Sequence, residues 1–396
     1  MRNETENTKY IADNIRTMPT SGIRKFFDVA NTMEGVVSLG VGEPDFNTPW
    51  HASEAAILSI ERGQTSYTSN QGMMELREAI CEYLKEKFDV AYRPEEIVVT
   101  VGASEGIDLA LRAILNPGDE VLVPEPSYVS YKPCVTMAGG IPVPIDTKAE
   151  NEFRVTPEEI RAAVTERTKA ILLPYPNNPT GGIMRKEHLE AIVPAILEND
   201  LIVISDEIYA ELTYGGTPHV SIASLPGMWE RTILLNGFSK AFAMTGWRLG
   251  YVAAPPLFLD EMLKIHQYII MCAPTMSQYA GLEALKNDRR EDELALMRDA
   301  YDERRRVMVD GFRAMGLDCF EPQGAFYVFP SIQSTGLSSE EFCERLLYEN
   351  QTAVVPGTAF GRSGEGFIRC SYAYSVESIR AALDRIEAFL KKLKME

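Results

Sequence analysis

Two stretches of the chain decide the fold: LIVISDEIY at residues 201–209 and ILLNGFSKAFAMTGWRLGYVAA at residues 233–254. In each, a short apolar run suited to a buried strand passes directly into polar or glycine-rich sequence. Similar runs precede them, separated by helical patterns: IVVTV at 97–101, VLV at 121–123 and AILL at 170–173. Continuous apolar strands that alternate with helices are typical of a parallel sheet covered on both sides. We therefore predict an α/β fold with a mostly parallel sheet sandwiched by helices.

Helical patterns fill the gaps between these strands. Residues 75–88 carry apolar side chains at every third or fourth position, and Thr156 begins a Thr-Pro-Glu-Glu capping sequence for a later helix. Another helix is predicted over residues 105–115, directly after the small residues 102–104. We expect these helices to cover the two faces of the sheet.

The pattern changes after about residue 285. A long charged helix, a short apolar run and a final amphipathic helix at residues 378–394 follow, and the alternation of strand and helix stops. This change predicts a second, smaller α+β domain that also takes in the N-terminal segment. The predicted division is a large domain at residues 47–285 and a small domain at residues 1–46 plus 286–396.

The composition limits the classes of function. Among 396 residues, 57 are Asp or Glu and 39 are Lys or Arg, and the resulting net charge of −18 argues against a nucleic-acid partner or an anionic membrane. The six cysteines form no Cys-x-x-Cys pair and the four histidines have no ligand spacing, so no metal site is predicted. The sequence shows no signal peptide and no apolar run of membrane-spanning length, so we expect a cytoplasmic protein.

Polar clusters follow the predicted strands, at the edge of an open α/β sheet where ligands bind. The amides of Gly102, Ala103 and Ser104 at a helix start suit a phosphate, because unpaired N–H groups and the helix dipole both favour an anion. Arg248, eight residues after Lys240, could bind the same phosphate with two N–H groups. The chain is therefore predicted to bind a phosphorylated ligand in a locally basic pocket.

A lysine beside an anion site, with an aspartate one strand away, indicates pyridoxal 5′-phosphate. Lys240 would hold this cofactor as a Schiff base, and its apolar neighbours would lower the pKa of its amine. Asp206 would pair with the pyridine nitrogen and keep it protonated, so that the ring can accept electrons. Tyr209 and Asn178 could donate hydrogen bonds to the phenolate oxygen of the ring.

With these residues in place, the sequence resembles the class I/II aminotransferases of the fold-type I pyridoxal phosphate family. Within that family it is similar to the aspartate/aromatic aminotransferase group, which includes the N-acetyl-diaminopimelate-type enzymes. The matching segments run in the family's order from residue 38 to residue 373: SLGVGEPDFNTP, SYTSNQGMMELREAI, TVGASEGID, NPGDEVLVPEPSYVSY, PYPNNPTG, ISDEIYAEL, NGFSKAFAMTGWRLGY, QGAFYVFP, VVPGTAFG and GFIRCSYA. The resemblance thus covers nearly the whole chain.

The resemblance implies roles for individual positions. Lys240 would also carry the proton between the substrate carbon and the cofactor carbon, and Tyr128 would stack on the pyridine face. Arg369 would bind the substrate α-carboxylate, with help from the backbone of Gly42 and the side chain of Asn178. The implied cofactor contacts are Gly102, Ala103, Ser104, Tyr128, Asn178, Asp206, Tyr209, Ser239, Lys240, Arg248 and, from the neighbouring subunit, Tyr67. A homodimer with shared active sites follows from the last of these.

One position departs from the family. Many relatives carry a hydroxyl residue three positions before the lysine to bind phosphate, and here that position is Gly237. The phosphate is therefore expected to depend more on Arg248, Ser104 and Tyr67 than on Ser239.

The predicted reaction is transfer of an amino group from an L-amino acid to a 2-oxo acid by a ping-pong mechanism, with glutamate and 2-oxoglutarate as one pair. The enzyme is expected to be of the aspartate/aromatic type, although alanine and N-acetyl-diaminopimelate stay open as donors. The side-chain pocket is expected to involve residues 21–24, the surroundings of Tyr67 and the partner subunit.

Other functions fit the sequence less well. A carbon–sulfur β-lyase could use the same site. GASEG at residues 102–106 matches the Gly-x-Ser-x-Gly of serine hydrolases, but their late catalytic histidine is lacking, because His266 is the last histidine. A nicotinamide enzyme lacks its Gly-x-Gly-x-x-Gly turn after the first strand. A regulator built on this fold would need a DNA-binding module, for which the roughly forty residues before Gly42 leave no room.

Overall fold

The computed structural model describes residues 10–18 and 33–396. Its main feature is a sheet of seven strands in the described part of the chain, in the order β2–β8–β7–β6–β5–β3–β4. The strands of the protein are β1 (Val37–Ser38), β2 (Ile97–Thr100), β3 (Glu120–Glu125), β4 (Ile141–Asp146), β5 (Thr168–Leu173), β6 (Ile202–Asp206), β7 (Thr232–Gly237), β8 (Gly250–Ala253), β9 (Tyr327–Val328), β10 (Thr352–Ala353), β11 (Val355–Pro356) and β12 (Ile368–Ser371).

The large sheet is mostly parallel, as predicted. Strands β7, β6, β5, β3 and β4 run parallel to one another, and β8 is antiparallel to both of its neighbours, β7 and β2. The apolar runs at residues 97–101, 121–123, 170–173, 201–205, 233–235 and 250–254 all form strands of this sheet, with bounds that shift by up to two residues at either end. Strand β4 was not predicted, because Pro142 and Pro144 interrupt it. It lies at the sheet edge, where proline is tolerated since one side of the strand has no hydrogen-bonding neighbour.

Helices cover both faces of this sheet. The helices of the described chain are Asp13–Arg16, Trp50–Glu61, Met74–Phe88, Gly102–Ile114, Tyr131–Met137, Pro157–Ala163, Lys186–Glu198, Pro256–Ile269, Thr275–Lys286, Arg290–Ala314, Ser339–Asn350 and Val376–Leu393. Alternate residues of each strand pack into different cores: Val98 and Ile233 face one side with the helix Gly102–Ile114, whereas Val99 and Leu234 face the other with the helix Met74–Phe88. Burial on both faces explains the continuous apolar runs.

The structure tests two of the predicted helix starts. Thr156 caps its helix as predicted, since its Oγ1 accepts from the Glu159 amide at 3.3 Å and its own amide donates to the Glu159 carboxylate at 2.9 Å. The helix expected from residue 105 begins at Gly102 instead. Residues 102–104 therefore form its first turn, whose N–H groups have no partner within the helix.

A second core lies outside the large sheet. The helices Arg290–Ala314 and Val376–Leu393 pack on each other. The first also contacts β9 of the small sheet β11–β12–β9, and the second contacts β1 and β10, which pair in parallel. The fully buried aromatic side chains Tyr301, Phe312 and Phe389 belong to this core. The α/β fold class with additional α+β structure is confirmed. Among residues 10–18 and 33–396, no helix has the length and apolar content needed to cross a membrane.

Candidate active site

A cavity of about 320 Å³ opens at the carboxyl ends of β5, β6 and β7, where the fold predicts a ligand site. Its volume lies in the range of ordinary small-molecule pockets. Most of the predicted site residues line it: Gly42, Ala103, Ser104, Tyr128, Asn178, Asp206, Tyr209, Ser239, Lys240, Arg248 and Arg369. Residues separated by up to 327 positions in the sequence therefore share one cavity.

One end of the cavity is built to receive an anion. The helix Gly102–Ile114 points its first turn at the cavity, and Ala103 and Ser104 line the wall. The Arg248 guanidinium lies over the same turn, because a Cβ atom at Gly102 would be only 2.7 Å from Arg248 Nη2. Arg248 Nη1 donates to the Thr245 carbonyl at 2.8 Å, which fixes the side chain. A helix N-terminus beside a guanidinium is suited to a phosphate group.

Asp206 lies at the end of β6, on the cavity floor, and is 5% exposed. Tyr131 Oη donates to its Oδ2 at 2.8 Å, and the Ile208 amide donates to its Oδ1 at 3.2 Å. Burial raises the pKa of this carboxyl from 3.8 to about 6, against the opposite effect of the two hydrogen bonds. A buried carboxylate of this kind is stabilised by a cationic group in the cavity.

Lys240 projects into the cavity from the segment that follows β7. Its Nζ donates to the Gly42 carbonyl at 2.7 Å and lies 5.8 Å and 5.6 Å from the ring centroids of Tyr209 and Phe326. Burial lowers the pKa of the ammonium group from 10.5 to about 8. The nearby carboxylate of Glu43 opposes this change. A larger share of neutral amine at physiological pH makes Lys240 a better nucleophile and base.

Arg369, on β12, forms the opposite wall and is 3% exposed. Its Nη1 donates to Asn178 Oδ1 at 2.9 Å, and its Nη2 donates to the Gly40 carbonyl. The rings of Tyr327 and Phe360 lie 4.5 Å and 4.8 Å from the guanidinium carbon. The buried Nε has no hydrogen-bond partner within the described residues, and a buried unpaired N–H is costly. The group is therefore oriented and still able to bind a carboxylate.

Several cavity residues were missed by the sequence analysis. Tyr131 binds Asp206, and Tyr327 Oη lies 3.0 Å from Tyr209 Oη. Glu43 and Thr245 also line the wall. Each stands in a segment that the family resemblance had matched, but their contacts cross between elements that are distant in sequence. In the sequence, only their positions in these matched segments could have indicated that these residues belong to the site.

Two predictions on the substrate pocket are not tested by this cavity. Tyr67 is 80% exposed and does not line it. Residues 21–24 lie outside the described residues. Gly102 borders the cavity through its contact with Arg248 and is not part of the lining.

The missing hydroxyl at Gly237 has a steric explanation. A Cβ atom at this position would lie 2.9 Å from Gly250 Cα and 3.0 Å from the Leu249 carbonyl, because β7 and β8 pair closely there. No side chain fits at this position without a shift of the backbone. Ser239, which does line the cavity and is 8% exposed, is the nearest hydroxyl group in the sequence.

The geometry does not support a hydrolase at Ser104. Its Oγ lines the cavity wall, yet none of the four histidines, all within the described residues, lies in this lining. His266 instead contacts Glu105 with its Nδ1 at 2.7 Å, and His219 contacts Glu207 with its Nε2 at 2.8 Å. Ser104 therefore lacks the histidine base of a serine hydrolase triad within the cavity lining.

The chain is similar to known aminotransferases over almost its entire length. Residues 34–386 match the family described as aminotransferase class I and II. The putative aminotransferase YugH of Bacillus subtilis (strain 168) is 56% identical over 386 residues, which make up 97% of this chain and 99% of that protein. The aspartate aminotransferase of Pyrococcus abyssi (strain GE5 / Orsay) is 48% identical over 97% of this chain and 99% of its own length.

The chain is also similar to solved structures of aminotransferases. The aromatic aminotransferase from Pyrococcus horikoshii OT3 is 46% identical, with a TM-score of 0.90 over 94% of this chain and 100% of that chain. The predicted family, fold and cofactor are thereby confirmed, since this family is pyridoxal phosphate-dependent, and the anion-binding turn, Asp206 and Lys240 fit that cofactor. The chain belongs to the class I and II aminotransferase family and is a pyridoxal 5′-phosphate-dependent aminotransferase.

Proposed function

We propose that the enzyme transfers the amino group of an aromatic amino acid or aspartate to 2-oxoglutarate in a ping-pong reaction at the cavity around Lys240. The observation that carries the proposal is the convergence of a depressed-pKa lysine, a buried carboxylate and a buried arginine in one cavity. In the two halves of the reaction, an amino acid leaves as its 2-oxo acid, and a second 2-oxo acid leaves as an amino acid.

The cavity offers a partner for each polar group of the cofactor. We assign its phosphate to the amides of residues 102–104 and to Arg248, its ring nitrogen to Asp206, and its phenolate oxygen to Tyr209 and Asn178. Asn178 Oδ1 already accepts from Arg369, which leaves its amide hydrogens for an acceptor in the cavity. When bound, the cofactor supplies an electron sink for the negative charge left on the substrate carbon.

Lys240 is proposed to move the proton. Its Nζ rests on the Gly42 carbonyl at 2.7 Å, and release from that contact leaves the amine free to take the proton from the substrate α-carbon. The pKa of about 8 places the amine near the value at which it both accepts and returns a proton at neutral pH. The buried Asp206 carboxylate supports this step by favouring positive charge at the ring nitrogen.

Arg369 is proposed to orient the substrate through its α-carboxylate. The contacts to Asn178 and Gly40, with two aromatic rings close to the guanidinium, hold it in one orientation before substrate binds. A carboxylate that pairs with two of its N–H groups fixes the α-carbon relative to Lys240 Nζ.

The wall of the cavity favours an aromatic donor. It contains four tyrosines: Tyr128, Tyr131, Tyr209 and Tyr327. Its described cations are Lys240, Arg248 and Arg369, and each has a proposed role with the cofactor or the α-carboxylate. The side-chain carboxylate of aspartate would therefore need a further cation, which we assign to the partner subunit. The aspartate and aromatic relatives above make both donors reasonable.

A half-reaction screen tests the proposed function. The visible absorbance of the cofactor-loaded enzyme is followed after addition of each of the twenty amino acids and of diaminopimelate derivatives. We expect loss of this absorbance with aromatic amino acids, glutamate and aspartate, and its recovery with 2-oxoglutarate. Pyruvate released from cystathionine without any added 2-oxo acid would instead indicate the β-lyase reaction, and no response to any amino acid would contradict the proposal.

Arg369→Gln is expected to raise the half-saturating concentration of every amino acid donor by about 10²-fold, because two charge-assisted hydrogen bonds to the carboxylate are lost. The visible absorbance of the resting enzyme should not change. Arg362→Gln is the matched control, since its side chain is 70% exposed and pairs with Asp146. Equal half-saturation in the two variants would show that Arg369 does not bind the substrate carboxylate.

We also propose a homodimer with shared active sites. The apolar side chains of residues 268–271 are exposed, Tyr268 by 87%, and they adjoin the loop that carries the exposed Tyr67, because Asn70 Nδ2 donates to the Met271 carbonyl at 2.8 Å. A surface of this kind is typical of an interface between subunits. Tyr67 would then reach the phosphate of the partner's cofactor.

Sedimentation velocity is expected to give twice the chain mass of 44.2 kDa, and Tyr268→Asp should shift the protein toward the monomer. Tyr348→Asp, at a position that is 57% exposed on the helix Ser339–Asn350, should leave the dimer intact. A monomeric wild-type enzyme with full activity would contradict the shared-site arrangement.

Two further predictions stay proposals. We place the protein in the cytoplasm, a reducing compartment that suits its six free cysteines. We also keep the domain division at residues 47–285 and at residues 1–46 plus 286–396, of which residues 1–9 and 19–32 lie outside the described part. The separate core around Tyr301 and Phe312 supports this division.

A further inference from the structure

We infer that Arg304 is a positioning residue of the active site: through Asp45 it fixes residues 40–48, the segment whose carbonyl oxygens hold Arg369 and Lys240. Residues 40–48 are called the strap below. The functional importance of the strap rests on the proposed roles of Lys240 and Arg369, whereas its attachment to Arg304 is a matter of geometry.

The strap contacts both cationic residues of the substrate site. Its Gly40 carbonyl accepts from Arg369 Nη2, and its Gly42 carbonyl accepts from Lys240 Nζ at 2.7 Å. The two acceptors are only two residues apart in the chain. A displacement of the strap would therefore move the acceptors of the carboxylate-binding arginine and of the proton-transferring lysine together.

The strap is irregular and depends on side chains for its position. No helix or strand is present in the described stretch between Ser38 and Trp50. At its far end, Thr48 Oγ1 donates to the Ala243 carbonyl at 2.7 Å and accepts from Trp247 Nε1 at 3.0 Å. At its near end, the Val41 amide donates to Tyr374 Oη at 3.1 Å. Between these attachments, Asp45 forms an ion pair.

Asp45 is held by Arg304, which lies on the helix Arg290–Ala314. Nη1 of Arg304 lies 2.8 Å and 2.9 Å from the two carboxylate oxygens of Asp45. The side chain of Arg304 is 15% exposed, and its guanidinium lies 5.4 Å from the ring centroid of Phe46 and 5.5 Å from that of Tyr301. A partly buried ion pair beside aromatic rings holds one geometry more firmly than an exposed pair does.

Arg304 does not line the cavity, so its effect on the reaction must pass through the strap. Loss of the guanidinium leaves Asp45 without this partner and frees the middle of the strap. Gly40 supports Arg369, whereas Lys240 is proposed to leave the Gly42 carbonyl when it acts. Binding of the substrate carboxylate should therefore weaken more than the later proton transfer. This difference separates a positioning role from a general loss of structure.

Arg306 provides a matched control on the same helix. Its side chain is 62% exposed and pairs with Asp302 on its own helix, away from the strap. Arg304→Met and Arg306→Met remove the same charge and leave side chains of the same size. A difference between the two variants therefore reports on the contact with Asp45.

The first measurement is hydrogen–deuterium exchange of the apoprotein, read by mass spectrometry in peptides that cover residues 39–48. We expect exchange in the strap to become at least about tenfold faster in Arg304→Met and in Asp45→Asn, and to stay unchanged in Arg306→Met. Asp45→Asn combined with Arg304→Met should exchange no faster than the faster single variant, because both remove one contact. Equal exchange in Arg304→Met and Arg306→Met would overturn the inference.

The second measurement separates KM from kcat in the cofactor-loaded enzyme. Arg304→Met should raise the KM of the amino donor by about tenfold while kcat changes by less than about threefold, and Arg304→Lys should give an intermediate value. Equal losses in KM and kcat, or the same change in Arg306→Met, would contradict the positioning role. If Arg304→Met fails to fold, Arg304→Lys and Arg306→Lys give the same comparison.

The two measurements test the attachment of the strap and the proposed function separately. The exchange experiment needs no turnover, so an enzyme without transaminase activity would still show whether Arg304 holds the strap. Faster exchange in a protein that transfers no amino group would overturn the proposed function and leave the attachment of the strap intact.

Discussion

Replacing Lys240 by alanine is expected to lower kcat/KM for transamination by at least about 10⁴-fold, the upper range for loss of a positioned acid–base group. The amine is the proposed nucleophile and proton carrier of the cavity, and no other lysine among the described residues lines the cavity.

The measurement combines kinetics with a direct test of the bond to the cofactor. Borohydride reduction of the loaded wild-type enzyme should attach the cofactor to the peptide that contains Lys240, and the alanine variant should show no such peptide. Lys264→Ala, at a side chain that is 62% exposed, should behave like the wild type. Transamination by Lys240→Ala at more than about 1% of the wild-type rate would reject its assigned role.

Acylation of the apoprotein tests the environment of the same amine. Since burial lowers the pKa of Lys240 to about 8, the neutral, reactive form predominates above that pH. Its labelling rate should therefore rise through pH 8, whereas exposed lysines should continue to gain reactivity well above pH 9. This result would show that burial lowers the pKa of the amine that the proposed reaction uses.

The sheet could be predicted because its sequence signal is local. Residues buried on both faces must be apolar in an unbroken run, so the runs that became β5, β6 and β7 were visible without any tertiary information. Strand β4 was not predicted because its sequence contains Pro142 and Pro144, which are tolerated at the edge of a sheet. The edge position of a strand depends on the order of all strands in the folded sheet. The helix at Gly102 begins three residues before its predicted start.

The site was partly predictable for a different reason. Lys240, Asp206 and Asn178 follow strands directly, and the rule for open α/β sheets brings strand ends together. Tyr131 and Tyr327 could not be found in this way, because their roles come from contacts to Asp206 and Tyr209 across the cavity. The same holds for Arg304, which the sequence places only within a long charged helix.

Burial acts on the two central titratable groups in opposite directions. It raises the pKa of Asp206 to about 6 and lowers the pKa of Lys240 to about 8, because in each case it disfavours the charged form. In the apoprotein, the charges of both groups are therefore poorly solvated. A cofactor with a cationic ring nitrogen and a reactive carbonyl provides a partner for each group. The unfolding free energy of the apoprotein should therefore show how much stability is lost through the burial of these groups.

Asp206→Asn is expected to lower kcat of the loaded enzyme by about 10²- to 10³-fold, because a neutral amide no longer stabilises positive charge at the ring nitrogen. The same change should make the apoprotein more stable at neutral pH. Tyr131 Oη and the Ile208 amide can both still hydrogen-bond to an asparagine, so the local geometry should persist. Loss of activity together with a gain in stability distinguishes a functional carboxylate from a structural one.

The pH dependence of that gain follows from the raised pKa. The folded value of about 6 lies above the unfolded value of 3.8, so the folded state binds more protons between these limits and the stability falls as the pH rises from about 4 to about 6. Above pH 6 the wild-type apoprotein should have lost up to about 3 kcal/mol of unfolding free energy that Asp206→Asn retains. Urea unfolding at pH 4.5 and pH 7.5 measures the difference, with Asp200→Asn, at a side chain that is 94% exposed, as the control. If Asp206→Asn follows the wild-type pH profile, the carboxyl does not titrate at a raised pKa, and burial does not prepare it for the cofactor.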